Sequence, residues 1–179
     1  ASGADSDGRS SGSSYVVFGK ASGFSAEMNL STLNGSNGFR LDGVASGDWL
    51  GWTVSTAGDV NGDGFDDLIV GAPNADSNDF GSGSSYVVFG KASGFSAAMD
   101  LSSLNGSNGF RLDGAAYDFS GRSVSTGDVN GDGFDDLIVG ALFAAPNGKD
   151  SGSSYVIFGR SDFGSVLPEI VGTAGDDTL

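Results

Sequence analysis

The chain has 179 residues, enough for one domain with its own hydrophobic core, and it carries a formal net charge of −15. This charge excludes an ordinary nucleic-acid-binding surface, which needs a basic patch to face the phosphates. Cysteine and histidine are absent, which excludes disulfides, thiolate chemistry and the usual zinc and transition-metal sites, and leaves aspartate oxygens, which suit calcium.

The first predicted element is a strand at residues 15–18, where Tyr-Val-Val-Phe lies between glycine and serine clusters. Such short apolar runs are typical of strands that are buried on both faces. Residues 25–33 have an irregular apolar spacing, which favours a turn or a short helix that connects neighbouring units. Residues 39–41 alternate between apolar and polar, as an outer strand would.

An acidic loop follows, between an alternating strand at residues 53–56 and an apolar strand at residues 68–70. Positions 1, 3, 5 and 9 of this first acidic loop (residues 59–67) carry oxygen in their side chains. Alternate positions on a tight loop turn toward one point, and Gly64 can adopt the positive φ that the turn needs. The expected ligands, including a main-chain carbonyl at position 7, are Asp59, Asn61, Asp63, the carbonyl of Phe65, and Asp67.

These elements recur along the chain at a spacing of about 70 residues, which is the signature of a repeat protein. Residues 12–19 match 83–90 and 152–159, residues 33–43 match 104–114, and residues 58–72 match 127–141. A second acidic loop (residues 128–136) therefore offers Asp128, Asn130, Asp132, the carbonyl of Phe134, and Asp136. The sequence begins inside a repeat, so we expect a fragment of a longer protein.

Each repeat has about four short strands, and the middle strands have apolar residues on both faces. This pattern predicts an all-β fold built of β-propeller blades. We assign one partial blade and two blades with acidic loops to residues 1–168. A closed ring takes about four to eight blades, so we expect a partial ring. Further blades from the parent chain or from other chains would complete it.

The two acidic loops predict a divalent cation. Two like charges ~4–6 Å apart repel by about 1 kcal/mol in water, and each loop gathers three carboxylates at its expected ligand positions, with Asp66 beside those of the first loop. A shell of about six or seven oxygens favours Ca²⁺ over Mg²⁺. Ordinary Asp-Gly turns do not explain a pattern that is matched in both copies. An EF-hand is disfavoured because Val70 and Val139 stand where its bidentate glutamate belongs, and because a strand follows instead of a helix.

The order Gly-Asp-Val-Asn-Gly-Asp-Gly, Asp-Asp-Leu-Ile-Val-Gly-Ala-Pro and Tyr-Val-Val-Phe-Gly resembles the FG-GAP repeat of the integrin α-subunit head and its bacterial relatives. The resemblance implies a β-propeller with Ca²⁺ between the first two strands of a blade, held by the ten residues named above. The repeat departs from the family at Leu50-Gly51 and Ser120-Gly121, which replace Phe-Gly, and at Leu142, which replaces the proline of Gly-Ala-Pro.

The end of the chain carries a second resemblance. Residues 172–179 read Gly-Thr-Ala-Gly-Asp-Asp-Thr-Leu, which is similar to the opening of the glycine- and aspartate-rich repeat of RTX proteins. We interpret residues 169–179 as the beginning of an RTX-like repeat. That resemblance implies a large bacterial protein that is exported and then folded outside the cell by calcium.

Two loops differ between the copies: residues 46–52 differ from 117–122, and residues 73–82 differ from 142–151. Binding surfaces commonly lie on such loops. The candidate contacts for a protein or glycan partner are Trp49, Trp52, Tyr117 and Phe119. The alternative, which we favour, is that these rings pack between blades.

The predicted function is that of a calcium-binding, non-catalytic β-propeller module in a secreted or surface-attached bacterial protein, acting in adhesion, in ligand binding or as a scaffold. No run of residues is long and apolar enough to insert into a membrane as a helix. Two alternatives stay open. One is an accessory propeller of a secreted enzyme whose catalytic domain lies outside this sequence, and the other is a structural spacer.

Overall fold

The computed structural model describes residues 1–4 and 9–163, so the RTX-like assignment at residues 169–179 lies outside the described part of the chain. The strands in this part are β1 (Ser13–Val17), β2 (Gly38–Asp42), β3 (Thr53–Gly58), β4 (Asp67–Ala72), β5 (Ser84–Val88), β6 (Ala98–Asp100), β7 (Gly109–Asp113), β8 (Ser120–Gly127), β9 (Asp136–Ala141) and β10 (Ser153–Ile157). Two single turns of 3₁₀ helix, Leu30–Thr32 and Leu101–Ser103, accompany them. Neither of these short helices is long or apolar enough to cross a membrane, and the described residues contain no helix that is.

The strands form three sheets, and the middle one is a complete blade. Its four strands pair antiparallel in the order β3-β4-β5-β7. The following sheet, β10-β9-β8, repeats the first three of these strands. The preceding sheet, β1-β2-β6, repeats the last two and adds β6, which runs parallel to β2. The predicted all-β architecture of propeller blades is confirmed.

Alternate residues of the central blade supply two separate cores, because successive side chains in a strand point to opposite faces. Val70 and Val88 join the core against the preceding sheet, which also holds Phe39 and Leu41. Ile69 and Val87 join the core against the following sheet. That core also contains Phe110 of the central blade and Leu137, Val139 and Ile157 of the following sheet. In the central blade the continuous apolar runs are therefore buried on both faces, as predicted. The prediction is wrong for β1 and β10 in this part of the chain, where Tyr15, Val17 and Val156 are exposed because no further sheet covers that face.

The irregular segment at residues 25–33 and its repeat at residues 96–104 each form one 3₁₀ turn, as the spacing of their apolar residues predicts. No strand pattern predicts β6, which lies in the second segment and extends the neighbouring sheet. Just before β6, the ring of Phe95 stacks on that of Phe39 in the preceding sheet, with centroids 4.3 Å apart. Phe163 stacks on Phe110 in the same way at 4.6 Å. The same aromatic contact thus joins both pairs of sheets.

The connections between strands lie at two opposite edges of the stacked sheets. The β3–β4 and β8–β9 connections contain the two acidic loops and share one edge. Residues 43–52, 73–83 and 142–152 connect the other ends of the strands, so they lie at the opposite edge. The two sets of predicted functional residues are therefore separated by the length of a strand.

Candidate metal centre

The first acidic loop is shaped by hydrogen bonds from its own backbone to its own side chains. Asp59 accepts through Oδ1 from the N–H of Asp63 at 3.0 Å and through Oδ2 from the N–H of Gly64 at 2.9 Å. Asn61 Oδ1 accepts from the N–H of Asp63, and Asp63 Oδ1 from the N–H of Phe65, both at 2.9 Å. Three of the predicted ligand side chains thus fold over one short backbone segment.

The second acidic loop repeats this arrangement. Asp128 accepts from the N–H groups of Asp132 and Gly133, at 3.1 Å each. Asn130 Oδ1 accepts from the N–H of Asp132, and Asp132 Oδ1 from the N–H of Phe134, both at 2.9 Å. Gly133 has a φ of 91°, and its equivalent Gly64 has 88°. The positive φ that the sequence predicts at this position is present in both loops.

The ninth position of each loop has a structural role that the sequence prediction missed. Asp67 is fully buried at the start of β4, where Oδ2 accepts from the N–H of Val60 at 3.1 Å and Oδ1 from the N–H of Gly90 at 2.8 Å. Asp136 is equally buried and makes the same two bonds with the second acidic loop and with the residue after Phe158. This aspartate therefore ties the beginning of its loop to the end of the third strand of the blade.

The electrostatics of the first acidic loop disfavour three bare carboxylates. Burial raises the pKa of Asp67 to about 6, although the N–H groups of Gly90 and Val60 pull that pKa down. The negative charges of Asp63 and Asp59 raise the same pKa further. Asp63 and Asp59 are thus near enough to Asp67 to repel its ionised carboxylate, and a bound cation would relieve that repulsion.

The donor set of each loop fits a calcium ion in its chemistry. Within residues 1–4 and 9–163, no group of three or more acidic side chains is arranged to hold a metal by itself. The predicted set also includes an amide oxygen and a main-chain carbonyl, and every member is a hard oxygen donor. Asn61 and Asp63 are in direct contact through Nδ2 and Oδ2 at 3.1 Å. Asp63 Oδ1 accepts one N–H and keeps a lone pair for an ion.

The four candidate partner contacts lie at the opposite edge and are exposed to different degrees. Trp49 and Trp52 stack with ring centroids 5.5 Å apart, and Trp52 is 46% exposed. Tyr117 is 62% exposed and pairs with Phe80 at 5.6 Å. Phe119 is half-buried. Trp49 and Phe119 pack partly between loops, whereas Trp52 and Tyr117 present their rings to solvent.

Three further residues at this edge were not singled out from the sequence. The guanidinium of Arg122 lies 5.4 Å from the ring centroid of Trp52 and 5.7 Å from that of Phe143, so it bridges two blades by cation–π contacts. Phe143 also meets Phe119 edge-on at 5.5 Å. Phe80 borders a cavity of about 430 Å³. All three lie in or beside the loops that differ between copies, and this difference is the sequence feature that could have identified them.

That cavity lies between residues 44–48 and 74–81 and combines aromatic and polar side chains. Its lining includes Asp48, whose Oδ2 accepts from the N–H of Ala45 at 2.8 Å, together with Tyr86 and Arg111. Burial raises the pKa of Asp48, and the charge of Asp76 raises it further, against the hydrogen bond from Ala45. The edge opposite the acidic loops thus offers a concave surface with both rings and charges.

Comparison with known proteins finds similarity in the repeats of the chain. The FG-GAP repeat model matches residues 50–88 and 120–157. Integrin alpha-PS2 of Drosophila melanogaster is 31% identical over 131 residues, which are 70% of this chain and 9% of the relative. Integrin alpha-8 of Gallus gallus is 33% identical over 141 residues, which are 76% of this chain and 12% of the relative.

An enzyme shares the same similarity. Phosphatidylinositol-glycan-specific phospholipase D of Mus musculus is 35% identical over 113 residues, which are 62% of this chain and 13% of the relative. The chain therefore spans about a tenth of the length of the relatives it matches. The two matched regions contain β3 to β5 and β8 to β10, so the chain carries two matches to the FG-GAP repeat and is similar in sequence to integrin α subunits.

Proposed function

We propose that the chain is a calcium-binding module of an extracellular β-propeller, with one Ca²⁺ held in each acidic loop. The observation that carries this proposal is the duplicated geometry. In both loops the first, third and fifth side chains fold over the same backbone positions, beside a buried aspartate at the ninth.

The chain would contribute oxygen atoms from five residues to each ion. In the first acidic loop they come from Asp59, Asn61, Asp63, the carbonyl of Phe65, and Asp67. In the second they come from Asp128, Asn130, Asp132, the carbonyl of Phe134, and Asp136. A bound calcium ion would supply positive charge at the start of β4 or β9 and so join each loop to a strand. Folding of the blade and binding of the ion would then be thermodynamically linked.

The edge opposite the acidic loops is the proposed ligand-binding surface. Trp52 and Tyr117 present exposed rings there, beside the cavity that contains Asp48 and Arg111. Rings with adjacent charged groups suit a protein or a glycan, since they offer both stacking and hydrogen bonds. We place this module in adhesion or ligand binding, without catalysis in the described residues, in a secreted or surface-attached protein. A bacterial source rests only on the RTX-like tail, because the relatives reported above are animal proteins.

We also propose that further blades adjoin this chain, and that residues 1–168 form one propeller segment. Leu101 is 2% exposed where its 3₁₀ turn meets the preceding sheet. Its equivalent Leu30 is 42% exposed, and Phe24 and Met28 beside it are exposed as well. These apolar residues suit the face of another blade, since the same segment packs on a blade elsewhere in the chain.

A second candidate function is that of an accessory propeller in a secreted enzyme. The similarity to a phosphatidylinositol-glycan-specific phospholipase D supports it, because that relative is named as an enzyme. The catalytic domain would then lie outside this sequence.

Calcium titration by calorimetry tests the proposal. The wild type should bind two ions, and Asp63→Ala and Asp132→Ala should each lose one. Glu27→Gln removes one negative charge from an exposed position far along the chain from both loops and should still bind two. Unchanged stoichiometry in both aspartate variants, or no binding by the wild type, would contradict the proposal.

A further inference from the structure

The two acidic loops are in direct contact. Asp135, at the eighth position of the second loop, accepts through Oδ2 from the N–H of Asp59 at 3.0 Å. The N–H of Asp135 donates in turn to the carbonyl of Asp59 at 3.2 Å. Asp59 is the first expected ligand of the first loop, whereas Asp135 is an expected ligand of neither. One blade thus fixes the backbone of an expected ligand that belongs to its neighbour.

Further contacts hold the same part of the first loop. The N–H of Arg160 donates to the carbonyl of Val60 at 2.8 Å. The ring of Phe134 lies against Gly62, so closely that a Cβ on that glycine would come within 2.3 Å of Cε1. Val60 is 0% exposed in the core, whereas its equivalent Val129 is 59% exposed. Within the described residues, the first acidic loop is therefore braced by a neighbouring blade and the second is not.

We propose that Asp135 is a positioning residue for calcium in the first acidic loop, and that calcium in the second loop strengthens binding in the first. This inference rests on the proposed function, since it assumes that both loops bind the ion. Phe134 and Asp135 stand between Asp132 and Asp136, two expected ligands of the second loop. An ion that orders these two ligands also orders the residues that brace the first loop.

The hydrogen bonds of Asp135 explain how one loop affects calcium binding in the other. Asp135 fixes both the N–H and the carbonyl of Asp59, so the first loop loses less backbone freedom when it binds an ion. Coupling between two binding equilibria is reciprocal, so the first ion strengthens binding of the second by the same factor. Asp66 holds the same position in the first loop, but its side chain is exposed and, within the described residues, accepts no hydrogen bond from a neighbouring acidic loop. It therefore serves as the matched control.

The test is calcium calorimetry on the full chain with single-site variants. Asp132→Ala leaves only the first loop to bind, and Asp63→Ala leaves only the second. A hydrogen bond to a charged group corresponds to about a tenfold change in affinity. Each remaining site should therefore bind about tenfold more weakly than the same site in the doubly loaded wild type.

The role of Asp135 itself is tested by two substitutions. Asp135→Ala should weaken calcium binding in the first loop by up to about tenfold and should reduce the coupling, while the backbone N–H of Asp135 and the ring of Phe134 keep their contacts with that loop. Asp135→Asn keeps an acceptor oxygen for the N–H of Asp59 and should retain most of the affinity. Asp66→Ala removes an equivalent charge and should leave the coupling intact. An equal loss in Asp135→Asn and Asp135→Ala would mean that charge alone matters, which would overturn the proposal.

The failure of this inference is distinguishable from the failure of the proposed function. Two independent sites in the wild type, with Asp135→Ala unchanged, would refute the coupling and leave the calcium assignment standing. No calcium binding in the wild type would refute both. Melting temperatures in the absence of calcium show whether each variant folds, so that a loss of affinity is compared only among folded proteins.

Discussion

The buried carboxylate of Asp67 accepts the backbone N–H of Gly90 at 2.8 Å, joining the end of the first acidic loop to the third strand of its blade. The bond spans two segments that are far apart in sequence and ties the acidic loop to the core. Because the carboxylate has no contact with solvent, its ionisation is costly unless a cation accompanies it.

We predict that calcium-free protein becomes more stable as the pH falls from 7.5 to 5, in part through Asp67. Its pKa in the folded state is about 6, above the ordinary 3.8, so the folded state binds this proton first. The destabilisation at neutral pH is on the order of 2–3 kcal/mol, and it is relieved progressively as the pH falls from about 6 toward 3.8, so that about half of it is relieved by pH 5. Urea unfolding in EGTA at both pH values measures it.

Asp67→Asn is the control for that experiment, because it cannot ionise while the rest of the negatively charged chain titrates as before. Its stability should change less between the two pH values than that of the wild type. An identical change in both proteins would contradict the prediction. In saturating calcium the wild-type dependence should reverse, since the ion competes with the proton for the ionised carboxylate.

We predict that chelation of calcium lowers the melting temperature by roughly 10 °C or more. A ligand at 100 times its Kd stabilises the folded state by about 2.7 kcal/mol per site. For a chain of this size, each kcal/mol shifts the melting temperature by about 2–4 °C. Calorimetric scans with calcium and with EDTA measure the shift. The double variant Asp63→Ala/Asp132→Ala should not respond to calcium, and an unchanged wild-type midpoint would count against structural calcium.

Much of the fold follows from the sequence, because the repeat shows which residues are equivalent. The runs at residues 68–70 and 86–89 predict strands with two buried faces, and the central blade has them. The strand β6 was missed because Ala-Met-Asp has no strand pattern. Its conformation depends on pairing with Arg40, Leu41 and Asp42 of the neighbouring sheet. Tertiary contact, not local propensity, determines that strand.

The local geometry of each acidic loop was also predictable from the sequence. The side chains at the first, third and fifth loop positions face inward, as alternate spacing on a tight loop predicts. The bond between Asp67 and Gly90 was not predictable, since nothing local to either residue indicates the other. The same holds for Asp135 and Asp59, which belong to different blades. Sequence spacing predicts the candidate ligands of one loop but not the contacts between loops.

We predict that two equivalent leucines differ in their contribution to stability. Leu101 and Leu30 both begin a 3₁₀ turn, but Leu101 packs in the core against the preceding sheet and Leu30 is exposed. Leu101→Ala should cost about 2–4 kcal/mol, the range for a buried leucine, and Leu30→Ala under about 1 kcal/mol. Urea unfolding in saturating calcium measures both. Equal costs would contradict the packing described here, or would show that Leu30 is covered in solution.

We predict finally that Gly62→Ala destabilises the protein more than Gly131→Ala. The two glycines are equivalent, with φ of 73° and 76°, so an alanine at either position is strained by about 1 kcal/mol. Only at Gly62 does the new methyl group also meet the ring of Phe134, whereas Gly131 has open space around it. The expected excess is about 1–2 kcal/mol, measured by urea unfolding in EGTA so that calcium does not contribute. Phe134→Ala should remove the excess by opening space beside Gly62. Persistence of the excess in the double variant would mean that the neighbouring blade does not brace the first acidic loop through this ring.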